Sequence, residues 1–216
     1  MTEEARAKRV SNKRGLGINL REEIIEAAER LLAEFGPGDA VTLRAIAREA
    51  GIAAPSIYPH FADRDSILDA VVSRTFRNLA QACRDAGDAA PDGTSEVAAI
   101  SVAYVRYARE FPGRYRILFE RSTRNIASPP HAYTDGIQAF GVLVTALERA
   151  SRETESDSSL IERDAQALFA ALHGIASLRP ALPGFPWQDE TALIHHVVGR
   201  VLGPPTDGTD VHRHLG

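Results

Sequence analysis

Cysteine, lysine, aromatic side chains and long apolar runs are all scarce in this chain, and each scarcity removes a class of protein. A single cysteine, Cys83, leaves no intramolecular disulfide and suits a reducing compartment, where it reads as a small buried apolar residue. No apolar run approaches the ~20 residues that a membrane span needs. The charged N-terminus has no apolar segment behind it, so no signal peptide is expected and the expected location is cytoplasmic. Aromatic residues make up only 6% of a composition rich in Ala and Leu, which favours helix, and no segment reads as a strand. Catalytic patterns are missing too: there is no Ser-His-Asp logic, phosphate loop or metal-ligand spacing. His195 and His196 are adjacent and would diverge by ~100° on a helix, while His212 and His214 have neither carboxylate nor cysteine beside them. The expectation is therefore no enzyme, no metal and no cofactor.

Lysine is informative because of where it occurs. The two lysines, Lys8 and Lys13, fall in Ala5 to Arg21 with Arg6, Arg9, Arg14 and Arg21, a segment without any acid. That segment carries plus six in a chain of net charge minus four, so the remainder sums to minus ten. Overall acidity argues against a general nucleic-acid binder. A basic arm in front of a DNA-reading motif nevertheless gains affinity by displacing counterions, and Lys13 and Arg14 are its candidate contacts.

The motif behind the arm is Thr42 to Phe61, TLRAIAREAGIAAPSIYPHF. Leu43, Ile46, Ala47 and Ala50 fall at helical spacing, with Thr42 as cap, and leave Arg44, Arg48 and Glu49 outside. Gly51 stands where the chain must turn through a left-handed conformation. Ala53 to Ser56 then offers almost no side chain, with Pro55 suited to a first helical turn. This predicts a helix-turn-helix whose second helix runs from Ala54 to His60, preceded by a helix over Leu20 to Phe35 capped by Asn19, around a core of Leu31, Phe35, Ile46, Ile57 and Phe61. Pro59 requires that second helix to be very short or bent.

Further helices are expected from Asp63, as N-cap, to Ala86, and over Ser95 to Glu110, Arg114 to Arg121, His131 to Ala150, Ile161 to Leu178 and Glu190 to Leu202. The last two have apolar faces too wide for surface helices, which points to a second copy of the chain as their partner.

TLRAIAREAGIAAPSIYPHFADRDSIL resembles the N-terminal signature of TetR-type transcriptional repressors, over roughly Leu20 to Val72. AYVRYAREFPGRYRILFE and ALFAALHGIASL are similar to a subgroup with a Trp-His-Gly motif, here Leu172-His173-Gly174. The resemblance implies an all-α fold of about nine helices, a homodimer and a ligand pocket in the C-terminal domain. The expected organisation is an arm over 1–19, the helix-turn-helix domain over 20–66, a ligand-binding and dimerisation domain over 67–205, and a tail over 206–216. The resemblance places phosphate contacts on Thr42, Tyr58, His60 and Arg64, and base-edge contacts on Arg44 and on Ala54, Pro55 and Ser56. Of these, Arg44 is the residue able to grip guanine with two bonds. The family often has a capping Ser or Thr where this chain has Ala53.

The larger side chains available to line a pocket are Tyr104, Tyr107, Tyr115, Phe119, Phe140, Phe169, His173 and Trp187. Rings at helical spacing are usually core, so about half of these are expected to touch a ligand. The implied function is a repressor released from a pseudo-palindromic operator by a small apolar or amphipathic effector. The alternative is a helical interaction module without sequence-specific DNA binding.

Overall fold

The computed structural model describes residues 17–36, 40–120, 131–154 and 158–203. Among them are eight α-helices, two 3-10 turns and no strand. The helices are α1 (Gly17–Phe35), α2 (Leu43–Glu49), α3 (Arg64–Gly87), α4 (Gly93–Glu110), α5 (Pro112–Glu120), α6 (His131–Thr154), α7 (Ile161–Ala181) and α8 (Glu190–Leu202). The 3-10 turns are Ala54–Ile57 and Ser158–Leu160. The chain divides into two compact units between Val71 and Val72, a point within α3.

In the first unit α1 packs on α2, and α2 on the 3-10 turn. Ile24, Leu31, Leu32, Ile46, Ile57, Phe61, Ile67 and Leu68 form the buried face. Each such side chain contributes roughly 1.5–3 kcal/mol by leaving water. Phe35 is not part of this core: it is 53% exposed, because α1 ends there and the chain turns away through Gly36 at φ 72°. Asn19 does not cap α1 either, since the helix already begins at Gly17. Arg30 Nε donates to Glu49 Oε1 at 2.6 Å, tying α1 to α2, and the Arg21 guanidinium lies 4.8 Å from the centre of the Phe61 ring.

The second unit is built around α4, which packs against α5, α6, α7 and α8. Val97, Ile100, Ala103, Tyr104, Val105, Tyr107 and Ala108 are all buried, so the helix is enclosed on most of its circumference. Ser101 lies within this apolar shell, and its hydroxyl donates back to the Val97 carbonyl at 2.7 Å, as a buried hydroxyl must find an acceptor. The N-terminus of α4 comes hard against α6: a Cβ on Gly93 would lie 2.5 Å from the Ala150 nitrogen. The Gly93 N–H donates to Glu153 Oε2 at 2.6 Å, and that bond holds the Glu153 carboxyl below its ordinary range. Arg149 joins Glu153 to Glu96 at 3.0 and 2.9 Å, closing the junction with charge. Asp92 caps α4 by accepting from the Ser95 N–H at 2.7 Å, and Asp189 caps α8 by accepting from Ala192 at 2.8 Å.

Cys83 is buried with Sγ 3.8 Å from the Ile100 carbonyl, and burial pushes its thiol up to about 12. It packs as a small apolar residue.

Candidate DNA-reading surface and effector cluster

The turn at the heart of the first unit follows from its sequence atom by atom. Thr42 is extended, at φ −101° and ψ 161°, and its Oγ1 accepts from the Ala45 N–H at 3.1 Å. Gly51 sits at φ 67°, with its N–H on the Arg48 carbonyl at 3.1 Å and the Ile52 N–H on the Ala47 carbonyl at 2.9 Å. This paired closure satisfies the last carbonyls of α2 and needs a residue without a Cβ at the left-handed position.

The second element of the motif is not an α-helix to His60 but a single 3-10 turn, Ala54–Ile57, followed by hydrogen-bonded turns. Ala53 supplies no side-chain cap, and Pro59 cannot donate a backbone bond, so nothing sustains a longer helix. Its links are the Ser56 N–H on Ala53 at 2.9 Å, His60 on Ile57 at 2.9 Å and Phe61 on Ile57 at 3.0 Å. Ile57 anchors the turn in the core, which leaves Pro55 and Tyr58 exposed and Ala54, Ser56 and His60 half-buried. Tyr58 is 60% exposed, an unusual setting for a large ring that nothing in the core requires. Arg44 is exposed on α2. Arg64 is held differently: its Nε donates to the Val41 carbonyl and its Nη1 lies 3.7 Å from Asp65, so it ties the start of α3 to the segment before α2. Asp63 caps α3, accepting from Ser66 N–H at 2.7 Å. Lys13 and Arg14 lie outside the described residues.

In the second unit six of the eight candidate pocket residues come together. Tyr104 on α4, Tyr115 and Phe119 on α5, Phe140 on α6, and Phe169 and His173 on α7 form one ring cluster. Tyr104 meets Tyr115 edge-on at 5.8 Å between centroids and Phe169 at 6.2 Å; Phe140 meets Phe169 at 6.0 Å; Phe119 lies 4.2 Å from His173. These are the offset and edge geometries that aromatic quadrupoles prefer. A line of polar atoms runs through the cluster: Tyr104 Oη to Tyr115 Oη at 2.8 Å, Tyr115 Oη to His173 Nδ1 at 2.7 Å, and His173 Nε2 to Ser177 Oγ at 3.5 Å. Burial raises the Tyr104 phenol well above its ordinary value and pushes Tyr115 up to about 12, while it lowers His173. In all three groups burial favours the neutral form.

Tyr107 and Trp187 are placed elsewhere. Tyr107 packs on Phe111 at 5.0 Å, and Trp187 packs on Phe185 at 4.6 Å in the α7–α8 connection, donating from Nε1 to the Leu182 carbonyl at 3.0 Å. Ser177 was not foreseen, although its i+4 spacing from His173 on a helix is the signal that would have found it. A second polar group was also missed: Ser73 donates to Asp135 Oδ2, and Arg77 Nη1 donates to the same oxygen at 3.1 Å, joining α3 to α6 within the second unit. Among the described residues no group of three or more His, Cys, Asp and Glu could hold a metal ion, and no helix is long and apolar enough to cross a membrane.

An exposed helix-turn-helix surface and a separate helical unit define a DNA-binding transcription regulator. Residues 24–71 match the model for bacterial regulatory proteins of the tetR family, and residues 97–201 match the tetracyclin repressor-like C-terminal domain. The chain belongs to the TetR family of transcriptional regulators. Its fold is similar to a protein with unknown function from Rhodococcus sp. RHA1, at 24% identity over 92% of this chain and 97% of that one, with a TM-score of 0.74. It is also similar to the fatty acid degradation regulator FadR from Bacillus halodurans, at 18% identity over 84% and 97% of the two chains and a TM-score of 0.67. The transcriptional regulator FadR from Bacillus subtilis, in complex with stearoyl-CoA, matches at 16% identity over 84% and 97%, with a TM-score of 0.68.

Proposed function

We propose that this protein is a cytoplasmic, ligand-responsive repressor that binds a pseudo-palindromic operator as a homodimer and is released by a small molecule held in its second unit. The observation that carries the ligand half of this reading is the half-buried ring cluster with a polar line through it. The polar line brings three hydrogen-bonding groups from α4, α5 and α7 together beside the half-buried rings of Phe119, Phe140 and Phe169, as an orienting set in an apolar ligand site would. A FadR of the same fold holds stearoyl-CoA, which supports an amphipathic effector with a long apolar part.

On this reading residues 20–66 read DNA and 67–205 bind ligand and partner. The arm, with Lys13 and Arg14, and Thr42, Tyr58 and His60 position the protein on phosphates. Arg64 acts there chiefly by holding the entry to α2 in place. Arg44 and the small edge of Ala54, Pro55 and Ser56 read bases and groove shape. The partner is a second copy, joined through α7 and α8, where Leu193, Val197, Val201 and Leu202 remain partly uncovered beside the buried Ile194 and Val198. Repression follows from spacing: two recognition surfaces must meet half-sites about 34 Å apart or a longer in-phase distance, and effector binding favours a state in which that spacing is wrong. Such coupling is on the order of 1–3 kcal/mol and reciprocal.

The test is fluorescence anisotropy with DNA flanking the protein's own gene, at several salt concentrations, with and without stearoyl-CoA. A complex that weakens steeply with salt, and that stearoyl-CoA weakens further, is expected. Arg44→Ala should lower discrimination between operator and unrelated DNA. No specific complex with any flanking fragment would leave the chain a helical interaction module instead.

A further inference from the structure

Five arginines fall among the described residues of the first unit: Arg21, Arg30, Arg44, Arg48 and Arg64. Arg30 is engaged by Glu49 at 2.6 Å, and Arg64 by the Val41 carbonyl and Asp65. Arg44 and Arg48 stand exposed on α2. Arg21 is held in another way: its guanidinium carbon lies over the Phe61 ring, 4.8 Å from the centroid, while its Nη1 is 3.8 Å from Glu22 Oε1. The Glu22 contact is longer than a hydrogen bond and both side chains are half-exposed, so it holds little.

Phe61 is itself 5% exposed and belongs to the core of this unit. A methylene stem is enough to cover its outer face, so the charge is the part of Arg21 that packing does not require. What the ring adds is a fixed seat. Attraction between the cation and the ring quadrupole holds the guanidinium in place, and its in-plane N–H groups stay available for an anion with two oxygens. A long side chain that is already seated loses less rotamer freedom when it makes its contact.

That seat lies in the motif that reads DNA. The His60 and Phe61 N–H groups both donate to the Ile57 carbonyl, at 2.9 and 3.0 Å, so the ring belongs to the same turn as Tyr58 and His60. Tyr58 is 60% exposed and His60 half-buried, and these are two of the residues on which the family resemblance places phosphate contacts. Arg21 brings a full positive charge to a pair that otherwise offers one phenol and one imidazole. It is also the last residue of the acid-free basic segment that starts at Ala5, one helical turn into α1 from Gly17. The last charge of that segment therefore sits at the reading turn.

We propose that Arg21 is a further phosphate-binding residue of the DNA surface, seated beside Tyr58 and His60 by Phe61, its positioning residue. This rests on the DNA-binding half of the proposed function and is independent of the effector. Its contact is with the backbone, so it adds affinity on every sequence and no discrimination between sequences.

The experiment is fluorescence anisotropy of the full-length protein on duplexes flanking its own gene and on an unrelated duplex, from about 50 to 200 mM salt. Arg21→Met keeps an apolar stem over Phe61 and removes the charge. It should weaken all complexes by a similar factor, about 5- to 10-fold at low salt, and reduce the slope of log K against log salt by about 0.9, the share of one phosphate. Arg21→Lys should keep the slope. Phe61→Leu should weaken binding about 2-fold when Arg21 is present and less in the Arg21→Met background, the mark of a seat rather than of general damage. Arg152→Met removes an exposed charge from α6 in the second unit and should leave the slope unchanged. The slope does not depend on the folded fraction, so it separates a lost phosphate contact from a damaged fold. An unchanged slope in Arg21→Met, a loss confined to one sequence, or an equal effect of Phe61→Leu in both backgrounds overturns the proposal. A specific complex whose slope is untouched by Arg21→Met keeps the repressor reading and sinks this one. A slope that falls as expected while no flanking duplex is preferred does the reverse, and no complex with any duplex sinks both.

Discussion

The two units differ in how far along the chain their polar groups reach for partners. In the first, the defining bonds are short in sequence: Thr42 to Ala45, Asp63 to Ser66, Gly51 to Arg48. In the second they span 53 to 62 residues: Gly93 to Glu153, Glu96 to Arg149, Ser73 to Asp135, Tyr115 to His173. A DNA-reading surface must present fixed backbone angles at the exterior, which local rules can set. A ligand site has to gather side chains from several helices, which only packing can do.

The largest effects should come from the two cores. Ile46→Ala, at a site with no exposure, should cost the first unit about 3 kcal/mol and abolish DNA binding. Urea unfolding followed by hydrogen exchange would show whether the second unit keeps its protection; loss of both together would collapse the distinction between the units. Gly93→Ala should cost about 2 kcal/mol or more, because the clash is with the Ala150 backbone rather than with a side chain that can move. Thermal melts of this variant should show the second unit failing while the first persists.

Gly51→Ala sharpens the contrast, since nothing lies within 4 Å of the added Cβ and the whole cost is the positive φ. About 1 kcal/mol is expected, confined to the first unit and read as a lower unfolding midpoint in urea. The smallest effect concerns pH. His173 is pushed below the ordinary imidazole value of ~6.5, so the unfolded chain binds that proton more readily than the folded one. Its contribution is complete above about pH 6.5 and is lost as pH falls through the lowered value. His173→Phe should therefore flatten the acid side of the second unit's stability curve between about pH 7 and 5.

Much of the first unit was legible because its determinants lie within a helical turn of one another. Thr42, Gly51, Ile57 and Asp63 each do what their residue type and local spacing require. The exceptions mark where local rules compete. Phe35 reads as core by periodicity yet stands outside, since α1 ends before its ring can turn inward. Arg64, a phosphate contact by the resemblance, also reaches back to the Val41 carbonyl, which its position in the sequence did not announce. The 3-10 turn stops at Ile57 because Ala53 gives no cap and Pro59 gives no donor, a conflict visible in the sequence but not resolvable from it.

The second unit divides the same way. Its helices follow from side-chain periodicity, which acts over a few residues, and helix bounds moved by only a few positions, whereas the caps Asp92 and Asp189 emerged only in the structure. Which rings would meet did not follow. Eight aromatic or imidazole side chains stood at comparable helical positions, and six converge while Tyr107 and Trp187 pack elsewhere. The angles at which α4, α5, α6 and α7 cross make that selection, and they depend on close approaches such as Gly93 on Ala150 and on the fit of whole helix faces. Composition and spacing could name the helices and the turn because those rest on backbone geometry and neighbours in sequence, while the family came from the resemblance carried by Thr42 to Leu68. The Tyr104–Tyr115–His173 polar line rests on burial and on contacts between residues up to 58 positions apart along the chain, and these exist only once the helices have packed.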